Sequence, residues 1–415
     1  MDGDTGVWFA HPTVATRAGR GVLAAPGGVF SVPVPRRAPF ALNASAHGYR
    51  ARTIRLSTRP RKLVSFRLFR PSSQWFMYGV DPERTQVDDA IALRPPFRIV
   101  WSRGLGSMIE YPAVVADGVA YVTTFRGMLW ALDMRNARIL WRFYLGHDEQ
   151  DSSPTIVGRD LVVHSKGGTV FVFDRATARL RWRYRVGSYI ESTPIVRDGV
   201  DYFGTWGGDV YALDLHRHRV RWVYSSGAKI TAGAALDGGT LYIGDYAGHV
   251  LALSAATGRV RWSRSVGGRV YGTPAVARGR VFVPSSDGDS LSAFSTTGRF
   301  LWAYHTGAYV YSSPAVWGGR VYFGSYNGVL YCLSARSGAL EWSVGVGGAV
   351  SGAAVVVAGV VYAGSLSGRI YGVDARTGRV LMRFPDGQYV PVSGNAGKLL
   401  LHGFSRIYAV VPRRR

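Results

Sequence analysis

Glu149, Asp151 and Glu191 are the side chains best able to gather a cation, because calcium is held by several hard oxygen ligands. They lie close together on loops, where carboxylates are ordinarily solvated, so no metal-ligating role is assigned to them. Ser152-Ser153 and Ser312-Ser313 each precede a proline, but no serine stands with a His and an Asp at a spacing that suggests a nucleophilic triad. These small residues read instead as a close-packed wall. His147, His216 and His218 match no structural or catalytic zinc pattern. Cys332 is the single cysteine, and it fills a slot held elsewhere by Ala131, Ala212 and Ala252; one cysteine excludes an internal disulfide. Recognition chemistry remains. Phe125, Tyr189, Trp206, Tyr246, Tyr271, Tyr309, Tyr311, Tyr326, Tyr389 and Phe404 are interspersed with Glu149, Asp151, Glu191, Lys229 and Arg269. Aromatic side chains bury much area at modest entropic cost, and mixed charge beside them is the composition of a binding surface. The competing reading makes the same tyrosines the plug of a channel. No catalytic, cofactor-binding or metal-ligating residue is assigned.

The elements that must position these residues follow from a repeat. Tryptophan recurs at Trp101, Trp141, Trp182, Trp222, Trp262, Trp302 and Trp342, and glycine keeps the same beat at Gly127, Gly168, Gly208, Gly248, Gly288, Gly328 and Gly368. A fixed period of this length signals a repeat architecture. Within residues 307–346, Val- and Tyr-rich runs at 313–316, 321–324, 329–333 and 340–344 are broken by Gly-Gly, Tyr-Asn-Gly and Arg-Ser-Gly, which are turn chemistries. Four antiparallel strands per period make one propeller blade, and the periodic Trp on its outermost strand reads as filling between blades. Inner-strand signals occur eight times, near Pro112, Pro154, Pro194, Ala234, Pro274, Pro314, Ala354 and Val392. The last copy lacks an outer strand, whereas residues 97–101 are an outer strand with no blade before them. Pairing the two closes an all-β, eight-bladed propeller and leaves no long unpaired edge at the seam. Strand direction then brings the links into the innermost strands and the links between second and third strands to one face, where the recognition residues converge.

The chain divides into a loosely ordered segment at 1–27, a small partial β-sandwich at 28–70, a polar connector at 71–96 and the propeller at 97–415. In the second piece Phe40, Leu42 and Ala44, then Ile54 and Leu56, then Val64, Phe66 and Leu68 alternate as half-buried strands do. The net charge of +24 is almost all arginine, with lysine only at Lys62, Lys166, Lys229 and Lys398. Such a field attracts anions, but the arginines are spread through every copy and no nucleic-acid module accompanies them. Nucleic acid is therefore not the expected partner, and an anion-binding face on the arginine side is a third, weaker reading. No apolar run is long enough to span a membrane. The opening MDGDTGVWFAHP has neither the basic nor the apolar part of a signal peptide.

The Gly-x-Phe strand at Gly28, the proline-edged hairpin and Gly48-Tyr49 resemble the carboxypeptidase regulatory-like β-sandwich. Members begin one or two strands earlier, so this copy is expected to be clipped at its start, and a signal or anchor would lie with the missing strands. Trp75 to Gly79, followed by Asp81, Arg84 and Thr85, and then units such as LYIGDYAGHVLALSAATGRVRW, resemble the pyrroloquinoline quinone (PQQ)-like propeller repeat family. That resemblance implies one of two functions. Some members are PQQ-dependent, calcium-requiring alcohol or sugar dehydrogenases; others bind no cofactor, among them the lipoprotein of the outer-membrane β-barrel assembly machine. The enzymes carry a vicinal cysteine pair and long inter-blade insertions, whereas this chain has one cysteine and copies of uniform length. The expectation is thus a non-catalytic scaffold without cofactor, a monomer that binds a protein or an envelope polymer. The resemblance places it in the cell envelope; the sequence itself leaves the compartment open.

Overall fold

Antiparallel sheets of four strands account for most of the chain, and no α-helix occurs among the described residues of this computed structural model, which are 1–9, 11–25, 28–146, 150 and 152–413. Seven of these sheets, with one five-stranded sheet in which Val87–Asp88 adds in parallel to Val355–Val357, are the eight blades of one propeller. The sixth is representative, with strands Ala315–Trp317, Arg320–Gly324, Val329–Ser334 and Leu340–Gly345. Its tight inner hairpin turns on Gly318-Gly319, both at positive φ (60° and 82°), the turn geometry that suits strand twist and favours glycine. The middle strands are buried because neighbouring blades cover both of their faces. The outer strand alternates instead, since only one of its faces is covered.

Seven of the eight blade gaps are filled by the periodic tryptophan, and Met382 takes its place in the seventh blade. The Trp262 indole N–H donates to the Thr296 carbonyl of the next blade at 2.9 Å, and Trp101, Trp141, Trp222, Trp302 and Trp342 make the corresponding bond to Met134, Arg175, Ala255, Ala335 and Ala375. A hairpin residue presses on each ring from the next blade. In later copies it is glycine: a Cβ on Gly298, at φ +86°, would lie 2.7 Å from the Trp262 ring. In the third blade His218 takes this place and packs its imidazole on Trp182, with centroids 4.5 Å apart. The His216-x-His218 pair thus serves blade packing.

The ring closes as the repeat count requires. Phe97–Gly104 pairs antiparallel with Arg406–Pro412, setting Trp101 opposite Ala409 and Ser102 opposite Tyr408, and so completes the eighth blade. Across the seam the Ala113 N–H donates to Nε2 of buried His402 at 3.1 Å. Burial pushes this imidazole down from 6.5 to about 4. A histidine that resists protonation in the folded state contributes stability above its unfolded pKa that is lost as the pH falls through the folded one. The loss should run from about pH 6.5 to about pH 4 and reach about 3 kcal/mol. Partly buried Asp4 and Asp81 and buried Asp88, pushed up to about 7, 6 and 6 chiefly by desolvation, act with the opposite sign over the same range. The contribution of His402 is therefore read as a difference. His402→Gln keeps an acceptor for Ala113 and should be relatively more stable than the parent at pH 4.5 than at pH 7.5 in urea titrations; parallel profiles would assign the pH dependence elsewhere.

Two parts of the chain differ from the sequence expectation. Residues 13–25 carry no apolar period, yet Thr13–Thr16 pairs with Phe40–Ser45, so the small module begins before Gly28 and the segment is not loose throughout. The third alternating run, Val64 to Leu68, is extended but forms no sheet strand. Its backbone is taken up by Met1 to Gly3, with Gly3 N–H donating to Leu68 O at 2.7 Å and Leu68 N–H to Met1 O at 3.0 Å. An apolar cavity of about 510 Å³, lined by Trp8, Phe40, Leu42 and Phe66 among others, lies inside the module.

The connector is the larger departure, because it runs around the hub of the ring. Trp75 exchanges backbone hydrogen bonds with Val115 of the first blade. Ile156, Leu236, Val276, Val316 and Val356, each in an innermost strand, then donate to the carbonyls of Phe76, Pro82, Glu83, Thr85 and Gln86. The third blade is reached by a side chain, through Arg84 Nη2 to Pro194 O at 3.0 Å. Trp75, Tyr78, Arg84 and Gln86 are almost wholly buried as a result. A polar sequence is suited to this course: innermost strands expose unpaired N–H groups to the channel, and these must be satisfied.

Candidate functional site

Links into the innermost strands and links between second and third strands meet on one face, and most of the residues expected to act in recognition pack there in two groups. The first is a ladder of alternating rings and cations across the second to fifth blades. Tyr189 meets Trp206 edge to face with centroids 5.1 Å apart. The Lys229 ammonium lies 3.2 Å from the centre of the Trp206 ring and 4.9 Å from that of Tyr246. Arg269 covers the far side of Tyr246 at 5.7 Å. Cation–ring contacts at this range stabilise by about 0.5–2 kcal/mol each, which fixes the rings against their neighbours. Lys166, 5.6 Å from the centre of the Trp206 ring, pairs with Glu191 at 3.7 Å, and Arg269 pairs with Asp287 at 3.1 Å.

The second group is a tyrosine cluster on the fifth and sixth blades. Tyr311 sits 4.9 Å from Tyr271, 5.8 Å from Tyr309 and 4.8 Å from Tyr326. Burial raises the phenol pKa of Tyr311, and the neighbouring tyrosines raise it further; the hydroxyl is thus a neutral donor at physiological pH. The ladder and the cluster join through Arg269, whose charge acts on both Tyr246 and Tyr311. Together they form a crescent over the second to sixth blades.

Not every expected residue belongs to the crescent. Phe404 is half exposed on the eighth blade, and Phe125 lies across the seam on the first, where Phe404 O accepts from Ile109 and Phe125 N–H donates to Met108. Tyr389 lines the channel mouth with Tyr271 and Tyr311. Glu149 and Asp151 lie outside the described residues. Tyr271, Tyr311 and Tyr389 line the channel mouth, while Tyr189, Tyr309 and Tyr326 face outward, Tyr189 half exposed. The floor of the mouth is Tyr78 of the connector, whose hydroxyl donates to Ser313 Oγ at 3.0 Å. Ser153 Oγ donates to Pro112 O at 2.9 Å, so the serine pairs are channel wall. Sequence reasoning missed Tyr78 as the floor because a short polar stretch between two domains carries no periodicity to mark it as interior.

The quinone that the repeat family admits can be tested against these residues. The cavity at the mouth is about 40 Å³, far below the roughly 300–1,000 Å³ of pockets that enclose such ligands. Cys332 is buried in a blade, and among the described residues no three His, Cys, Asp or Glu side chains converge to hold a metal ion. The residues at the mouth do not fit a tricarboxylic quinone over calcium.

A closed ring of Trp-marked four-stranded blades defines a propeller of the PQQ-like repeat class. Residues 150–229, 206–312 and 307–409 match the family described as outer membrane protein assembly factor BamB, and the chain belongs to that family. No curated protein matches. Among solved structures, BamB from Moraxella catarrhalis is 18% identical with a TM-score of 0.65, covering 76% of this chain and 99% of that one. Quinohemoprotein alcohol dehydrogenase from Comamonas testosteroni is 15% identical with a TM-score of 0.72, covering 83% of this chain and 81% of that one. The computationally designed Ika8 protein is 16% identical with a TM-score of 0.68, covering 76% and 99%. At these identities the likeness is one of fold. No helix among the described residues is long and apolar enough to cross a membrane.

Proposed function

We propose that this protein is a non-catalytic scaffold that docks a partner protein on the crescent. The observation that carries this reading is the run of packed rings and cations from Tyr189 through Trp206, Lys229, Tyr246 and Arg269 to Tyr326. Rings immobilised before binding lose little entropy on contact, and Tyr, Trp and Arg are the side chains that dominate binding energy at protein interfaces. The description of the matched family, an outer membrane protein assembly factor, supports a protein as partner and the cell envelope as location. The half-exposed tyrosines would also suit an envelope polymer, which enters the test as a separate arm.

The experiment is a peptide-display selection on the immobilised protein, with peptidoglycan fragments as the second arm. A consensus should emerge on the parent and be lost, by about 30-fold or more in affinity, on Trp206→Ala/Tyr246→Ala and on Tyr309→Ala/Tyr311→Ala. Melting midpoints should stay within a few degrees of the parent. Collapse of the fold in these variants, or undiminished binding, would sink the reading. Addition of PQQ with calcium is expected to leave the midpoint unchanged; a native-state ligand at 100-fold over its Kd would stabilise by about 2.7 kcal/mol, and such a shift would favour a dehydrogenase instead.

A further inference from the structure

Away from the crescent, the small module and the first two blades line a pocket of about 360 Å³ that opens to solvent, with Arg50 and Arg52 exposed at its rim. Its most distinctive lining is arginine: Arg50, Arg52 and Arg67 from the module, Arg159 and Arg175 from hairpins of the second blade. Two acids answer them. Asp117 takes Arg175 in a close pair and Arg50 at 3.6 Å, and Asp174 pairs with Arg159 at 3.5 Å while also holding Arg181. Arg52 and Arg67 have no carboxylate within ion-pair distance among the described residues; Arg52 reaches only the Arg67 carbonyl, at 3.4 Å. The lining therefore carries three more positive than negative charges in a space of small-molecule size.

One wall is flat and apolar. The Trp141 ring is fixed by its N–H bond to Arg175 O at 3.0 Å, and Phe69 and Leu140 flank it. Guanidinium forks match phosphate oxygens two at a time, and convergent arginines without counter-charges repel until an anion joins them. We infer that this pocket is a binding site for a phosphate-bearing ligand whose phosphate sits between Arg52 and Arg67 and whose apolar body lies on Trp141. The site is independent of the crescent and of the partner proposed for it.

Calorimetric titration of the whole chain with inorganic pyrophosphate, and flotation with phosphatidylcholine vesicles doped with phosphatidic acid, test the site and separate a soluble phosphate from a lipid headgroup. Binding in either arm should weaken about tenfold per guanidinium removed in Arg52→Gln/Arg67→Gln. Arg183→Gln/Arg185→Gln, the same charge change on the exposed outer strand Leu180–Arg185, should bind as the parent does. Ala176→Glu, which keeps every arginine but sets a carboxylate at the pocket, should also abolish binding and guards against misfolding of the double variant. No binding by the parent in both arms, or an equal loss in the pocket and outer-strand variants, overturns the assignment.

Discussion

Replacing Arg84 with methionine should cost about 3 kcal/mol of stability, because a buried acceptor left unsatisfied costs about 1–3 kcal/mol. The guanidinium donates to Tyr78 O, to Ala234 O at 3.0 Å and to Pro194 O at 3.0 Å, tying the connector to the third and fourth blades. Pro194 O keeps the Thr155 hydroxyl, so the full loss falls on the other two carbonyls. Relief of desolvation offsets part of it, since burial already pushes the Arg84 pKa down to about 10. Methionine retains most of the volume, and lysine should rescue only partly because one ammonium cannot span three carbonyls. Urea unfolding gives the magnitude. Hydrogen exchange gives the location: amides of Leu236, Val276, Val316 and Val356, which the connector holds, should exchange faster than those of the outer strands. A change under about 0.5 kcal/mol, the ordinary range for surface substitutions, would mean that Arg84 does not clamp the hub.

Trp262→Ala is the second large effect. The ring is 9% exposed and fills the gap between the fourth and fifth blades, and removal of a buried aromatic costs about 3–5 kcal/mol. Thr296 O also loses its indole donor. Trp262→Phe separates the two contributions, since it keeps most of the packing and forfeits the 2.9 Å bond; a cost of about 1–2 kcal/mol is expected. Equal destabilisation by Phe and Ala, measured by urea unfolding, would make the hydrogen bond rather than the packed ring the main term.

The blades were legible because the period states them repeatedly: Trp, the turn glycines and alternating apolar residues all point to one unit, and the unpaired strand before Trp101 points to closure. The crescent was legible in part. Strand direction alone gathers Trp206, Lys229, Tyr246 and Arg269 on one face, but only coordinates give the stacking of Lys229 between two rings. Arg84 and Tyr78 were not legible as interior, because a segment that buries itself by hydrogen-bonding to strands hundreds of residues away leaves no local pattern. The arginine pocket was hidden for a related reason: Arg67 and Arg175 are far apart in the chain and meet only when the module docks on the first two blades.

The pairing of Phe97–Gly104 with Arg406–Pro412 also sets a timetable for synthesis. The first propeller strand of the ring to be made finds its mate last, about fifteen to sixty seconds later at 5–20 residues per second. Until then seven complete blades and an unmatched edge coexist in a chain of near-identical units. A late-arriving C-terminus is therefore where chaperone protection or intermolecular exchange between nascent copies would concentrate.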